Sequence, residues 1–243
     1  MPDDLLLISG NDIPFIEARV NIHQPRIEEI AYIGENCFFA SCELINFSKD
    51  MLTEEDKVNL EGLTNFDILM SIIQGQNPTA QQSSIYFSML LTLLFPQYKV
   101  QIENNQIKLI NNKNQQEHFI TNENFESFRQ IINLMFSFDN NKDNFNPSGD
   151  LAKKISDKFK KRHQKLQENK NQENISIISR YISILTVGEH KDMNSFMKYT
   201  VYQLFDEFKR YELKMSFDIN FQARLAGAKD LKDAEDWMKD IHE

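Results

Sequence analysis

Glycine and proline are scarce in this chain, seven and six among 243 residues, which leaves little turn-forming material for a sandwich or barrel of many short strands. Cysteine is scarcer still. The pair Cys37 and Cys42 stands five residues apart, about 140° around a helix axis, a poor geometry for pairing, so both are expected to be reduced thiols that pack. Positive charge is short as well: 27 Lys and Arg face 36 Asp and Glu, a net charge of -9, which argues against a broad grip on phosphates and makes nucleic acid an unlikely main partner. No apolar run is long enough for a membrane helix. The most apolar segment, Ile85 to Phe95, falls well below the roughly 20 residues a span requires, so it reads as a buried core helix and no membrane partner is expected. The opening Met1-Pro2-Asp3-Asp4 is acidic where a secretory signal carries positive charge, which points to the cytoplasm.

Chemical signatures are absent too. The histidines His23, His118, His163, His190 and His242 are scattered, and no two stand at the i, i+4 spacing with which a helix grips zinc, so no metal is expected. There is no Gly-x-Gly-x-x-Gly, no Gly-Lys-Ser/Thr and no Gly-x-Ser-x-Gly, hence no phosphate cradle or strained serine nucleophile and no expected cofactor. Asp206, Glu207 and Glu212 read as a solvated helix face rather than an acid–base pair. The expectation is a protein that is not an enzyme.

What is present is hydrophobic patterning, 41% of the residues, mostly at helical spacing. Leu5 to Ile8 and Ile16 to Ile22 predict an N-terminal strand pair, followed by a helix from Pro25 to about Phe47, with Pro25 at its first position and Glu28 and Glu29 in its first turn. Thr53 opens a short helix to about Leu60, Asn65 caps another over Phe66 to Gln74, and Thr79 opens the apolar helix that stops before Pro96. Alternation then predicts a hairpin: Val100 and Ile102, a turn at Asn104-Asn105, and Ile107 with Leu109-Ile110, joined by a third strand, His118 to Ile120. Thr121 or Asn122 caps a helix whose stripe, Phe125, Phe128, Ile131, Ile132, Met135 and Phe136, is core.

The stretch 138–150 has no periodicity and separates an N-terminal α+β domain, 1–139, from a C-terminal helical domain, 151–243, with the linker at 140–150. The second part begins with an amphipathic helix, 153–165, that carries seven cations and is the one region where an electrostatic partner is arguable. Helices over Ile175 to Val187 and Asp192 to about Lys214 follow, then a segment from about Asp218 closed by Gly227, and a last helix capped by Asp230 that runs through Ile241. The resulting fold class is mainly α with a small β component, made of the N-terminal strand pair and the central β-hairpin, and an α-helical C-terminal cluster. Tyr202, Phe205, Phe208, Tyr211 and Trp237 supply more aromatic surface than a small helical cluster usually needs, which makes them the candidate protein-binding residues, with a packed core as the alternative.

The segment Ile22-His23-Gln24-Pro25-Arg26-Ile27-Glu28-Glu29-Ile30, with Gly34-Glu35 and Phe38-Phe39, resembles a recurring opening in proteins of long-tailed bacteriophages of Gram-positive hosts. Arg26 departs from it, standing where a small hydroxyl residue is expected. The likeness continues at Leu63-Thr64-Asn65-Phe66-Asp67-Ile68-Leu69 and near the end, at Thr200 to Phe208, Ala226-Gly227 and Trp237. These proteins look like tail assembly chaperones. The resemblance implies a non-enzymatic helper in the host cytoplasm that binds phage tail proteins, the tape measure protein among them, and keeps that partner soluble during tail morphogenesis. A structural protein of the tail or baseplate is the alternative, and self-association into a homo-oligomer is left open.

Overall fold

The computed structural model describes residues 2–48, 62–136, 176–228 and 236–238. The described chain begins with a short helix, α1 (Asp4–Ser9), where the apolar run Leu5 to Ile8 predicted a strand. Asp3 caps it by accepting the Leu6 amide at 2.8 Å, and Gly10, at φ 68, closes it in the left-handed region that suits glycine. The strand pair exists but is shifted: β1 (Ile13–Phe15) and β2 (Val20–Ile22) pair antiparallel around a 3-10 turn at Ile16–Ala18, with Ile13 opposite Ile22.

The helix expected from Pro25 to Phe47 is two helices, α2 (Ile27–Ile33) and α3 (Glu35–Asn46), because Gly34 at φ 84 and ψ 137 lies outside helical geometry. Pro25 precedes the cap rather than filling the first helical position. The start is set one residue later, where the Glu29 carboxylate accepts the Arg26 amide at 2.7 Å.

Thr64, not Asn65, caps α4 (Asn65–Ile73): its hydroxyl accepts the Asp67 amide at 3.1 Å while Asp67 accepts the Thr64 amide at 2.9 Å. Asn77 caps α5 (Pro78–Leu94), with Pro78, one residue before the expected Thr79, where its missing N–H costs nothing. The expected hairpin and third strand form a sheet of β3 (Tyr98–Glu103), β4 (Gln106–Asn111) and β5 (Glu117–Ile120), each pair antiparallel. Asn104 and Asn105 make the turn, at φ 50 and 54. Asn124 caps α6 (Phe125–Met135), two residues beyond the expected Asn122, because Thr121 and Asn124 close a turn of their own in which the Asn124 side chain accepts the Thr121 amide at 2.9 Å.

Three further helices are described: α7 (Ile177–Glu189), α8 (Met193–Phe196) and α9 (Val201–Leu225). The single helix expected from Asp192 to Lys214 is broken by a new start at Thr200, whose hydroxyl accepts the Gln203 amide while Gln203 accepts the Thr200 amide at 2.8 Å. From there α9 runs through Asp218, which pairs with Lys214 one turn earlier at 3.0 Å, so no separate segment begins at that aspartate. Of the helix expected over Asp230 to Ile241, only residues 236–238 are described, and they form a turn. The helix expected over Thr53 to Leu60, the linker at 140–150 and the basic helix at 153–165 lie outside the described residues.

One continuous set of buried side chains draws on both parts of the chain. The expected stripe of α6 is buried as predicted, and Phe38 of α3 meets Phe136 edge-on at 4.8 Å. Leu7, Ile22, Phe66, Phe87, Leu94, Ile107 and Leu109 join Ile182, Leu185, Phe196, Val201 and Leu204 in the same core. Cys37 and Cys42 are buried free thiols, Cys42 within that core, as their spacing predicted, and burial raises the pKa of both. Backbone bonds tie the segment around Pro25 to the C-terminal helices: Ile27 N donates to Tyr199 O at 2.8 Å and Glu28 N to Met197 O at 3.0 Å. Glu35, at the start of α3, caps α7 from across the chain, accepting the Ile177 amide at 2.6 Å and the Ile178 amide at 3.2 Å.

Candidate functional site

Helix α9 carries four of the five candidate aromatics, and its 25 residues span about 37 Å at 1.5 Å per residue. Tyr202 is 5% exposed, and its hydroxyl donates to the Asp4 carboxylate of α1 at 3.1 Å. Phe205 and Phe208 flank Tyr181 of α7: the Phe208 ring stacks on it with centroids 3.7 Å apart, and Phe205 meets it edge-on at 5.5 Å. Burial pushes the Tyr181 phenol above its ordinary pKa, with the Glu212 charge adding to the effect, and burial raises the Glu212 carboxyl as well. Tyr211 lies directly over Gly188 of α7, so closely that a Cβ there would overlap the phenol ring. Trp237 is half-buried, and its carbonyl accepts Arg210 Nη1 at 2.7 Å. The helix therefore gathers these residues along its packed first half, with Trp237 folded back beside Arg210.

The exposed apolar surface lies further along. Leu213 is the last buried residue of α9, and beyond it Met215, Phe217, Ile219, Phe221 and Leu225 are open to solvent, Ile219 at 61% and Phe221 at 54%. Phe217 and Phe221 are one turn apart, and their rings lie parallel at 6.4 Å. None of these residues stood among the sequence candidates. The signal that could have found them is Phe217, Phe221 and Leu225 at four-residue intervals, a stripe that starts where the core-facing set of Leu204, Phe208 and Tyr211 ends.

Lys191 pairs with Glu189 at 2.8 Å and with Glu207 of α9. Its burial favours the neutral amine, but the hydrogen bonds and charges of its partners prevail and raise its pKa. Among the described residues, no group of three His, Cys, Asp or Glu is placed to hold a metal ion. His118 is nearly buried, and its Nδ1 lies 2.9 Å from the Ala18 carbonyl, a packing role. A second apolar feature, a shallow groove lined by Ile33, Ile85, Met89 and Leu93, runs beside α5. Among the described residues, no helix is long and apolar enough to cross a membrane.

No curated protein and no solved structure matches the chain. Residues 168–242, just under a third of the chain, match the family model described as the YomV second domain. That region contains α7, α8, all of α9 and Trp237, hence every candidate residue, and what it resembles is a phage-associated domain family.

Proposed function

We propose that this chain is a phage assembly protein that acts by binding other proteins and catalyses no reaction, and that the outer half of α9 is its contact surface. The observation that carries the reading is the apolar stripe of Phe217, Phe221 and Leu225, left in solvent on a helix whose first half is packed into the core. A contiguous exposed apolar patch marks an interaction site, and aromatic anchors dominate contact energies. An acidic molecule with a net charge of -9 stays soluble while presenting such a surface.

The specific role that fits is a tail assembly chaperone holding the tape measure protein in solution in the host cytoplasm before the tail tube encloses it. The support for it is the match of the C-terminal region to a phage-associated family together with the resemblance of the Ile22 to Ile30 segment to phage tail proteins. Co-expression tests it. With this chain present, the tape measure protein should move from the pellet to the soluble fraction and elute with it on size exclusion. A tape measure protein that stays insoluble, or that is soluble but elutes apart, would count against the role.

A further inference from the structure

His23 sits between two carboxylates. Its Nδ1 lies 2.9 Å from Asp12 Oδ1, in the turn between α1 and β1, and its Nε2 lies 3.1 Å from Glu29 Oε2, in the first turn of α2. A neutral imidazole has a single N–H, so it can satisfy one of these carboxylates while turning a lone pair towards the other. Only the imidazolium donates to both. The backbone from which the ring extends is fixed, since the His23 amide donates to the Leu94 carbonyl at 2.9 Å.

The neighbouring residue grips the same part of the chain. Gln24 is 1% exposed, and its Nε2 donates to the carbonyls of Leu6 at 3.1 Å and Asn11 at 2.7 Å. From the other side, α9 holds α1 through Tyr202, which donates to Asp4, and through Gln203, whose Nε2 donates to the Ile8 carbonyl at 2.6 Å. Leu7 is the only residue that α1 itself buries. A six-residue helix with one buried side chain, Leu7, and one partly buried, Leu6, has little packing to hold it, so the loss of one of these polar bonds matters.

We infer that His23 is a proton-controlled clasp: as imidazolium it ties Asp12 to Glu29 and keeps α1 fastened across α9, and loss of its proton loosens α1 and the turn that follows. Asp12 and Glu29 are the charged groups that act on the ring; the segment ending in Leu94 offers only a backbone carbonyl. Burial of the ring favours its neutral form, yet the hydrogen bonds and charges of Asp12 and Glu29 prevail and raise its pKa. A histidine whose folded-state pKa is raised stabilises the closed form fully below its ordinary pKa, and that stabilisation is lost as pH rises through the folded-state value. Opening uncovers Leu7 and the Tyr202 hydroxyl. The inference stands independently of what the protein binds.

NMR on the full chain tests it. Nitrogen shifts of the His23 ring should show both nitrogens protonated in the closed form, with a midpoint above the ordinary histidine value. Amide protection factors at Leu6, Leu7 and Gly10 should fall as the ring titrates, by about tenfold for each unit by which the closed-state pKa exceeds that of the open state, while those of α5 stay level. In Asp12→Asn the ring should titrate at lower pH and the pH dependence of α1 protection should flatten. A ring that titrates below the ordinary histidine value, α1 protection that is flat while the ring titrates, or an Asp12→Asn variant with unchanged pH dependence would overturn the inference.

Discussion

Replacing Phe208 by alanine separates packing from binding on α9. The ring is half-buried and stacks face to face on Tyr181 at 3.7 Å. A fully buried phenylalanine costs roughly 3–5 kcal/mol on truncation, so a half-buried one should cost about 2 kcal/mol from burial, and the lost ring stack adds about 1 kcal/mol. The total of about 3 kcal/mol should lower Tm by about 6–12 °C in a chain of this size. Phe221, 54% exposed and touching only Phe217 among the aromatic pairs of the described residues, should shift Tm by no more than about 2 °C when truncated. Differential scanning calorimetry on both variants, run beside co-elution with the tape measure protein, gives the comparison. The account requires Phe208→Ala to lose stability and Phe221→Ala to lose capture. If Phe208→Ala melts like the wild type but no longer captures its partner, the packed reading of the first half of α9 is refuted; if capture falls only in step with Tm throughout the series Tyr202, Phe205, Phe208, Tyr211, Phe217, Phe221 and Trp237, the binding surface is refuted.

Gly188→Ala should destabilise by about 1–3 kcal/mol despite the better helix propensity of alanine, because the new methyl meets the Tyr211 ring; in a Tyr211→Ala background the same change should be neutral or stabilising, which a double-mutant cycle on chemical denaturation measures. Glu35→Ala strips the first turn of α7 of the acceptor for its Ile177 and Ile178 amides and should cost about 1–2 kcal/mol, with hydrogen exchange accelerated first at those two residues. Because the pKa of His23 is raised by Asp12 and Glu29, its contribution to global stability is complete below the ordinary histidine range and lost above it, so urea midpoints should fall as pH rises from about 6.5, and His23→Gln should flatten that slope.

The parts of this fold legible from sequence were those decided by neighbours in the chain. Asn104-Asn105 announces a tight turn because asparagine tolerates positive φ, the stripe from Phe125 to Phe136 announces a buried face, and Pro96 ends α5 for steric reasons. Where two local readings competed, the hydrophobic pattern was the poorer guide. Leu5-Leu6-Leu7-Ile8 looks like a strand, but Asp3 and Gly10 at its ends are helix punctuation and they prevailed. Gly34 carried the signal for a break in the helix after Pro25, yet a glycine inside an apolar periodic stretch is also compatible with a continuous helix. Long-range ties left no local trace: nothing near Glu35 tells that it caps a helix beginning at Ile177, and nothing near His23 tells that Asp12 and Glu29 will meet its two nitrogens.

The candidate site divides along the same line. The aromatic richness of residues 202–211 was visible, but which aromatics are packed depends on where α7 lies, and Tyr181 and Gly188 settle that for Phe205, Phe208 and Tyr211. The exposed set beyond Leu213 was hidden by the expectation of a helix ending near Lys214, since a stripe reads as a surface only once the helix is known to continue past its last packed residue.

The central claim, a phage protein that assists assembly by binding and then departs, is tested most directly by quantitative mass spectrometry of purified virions alongside the infected-cell lysate. The account predicts abundant chain in the lysate and none above background in the particles. A fixed number of copies per virion would contradict it and make the chain a building block of the tail or baseplate.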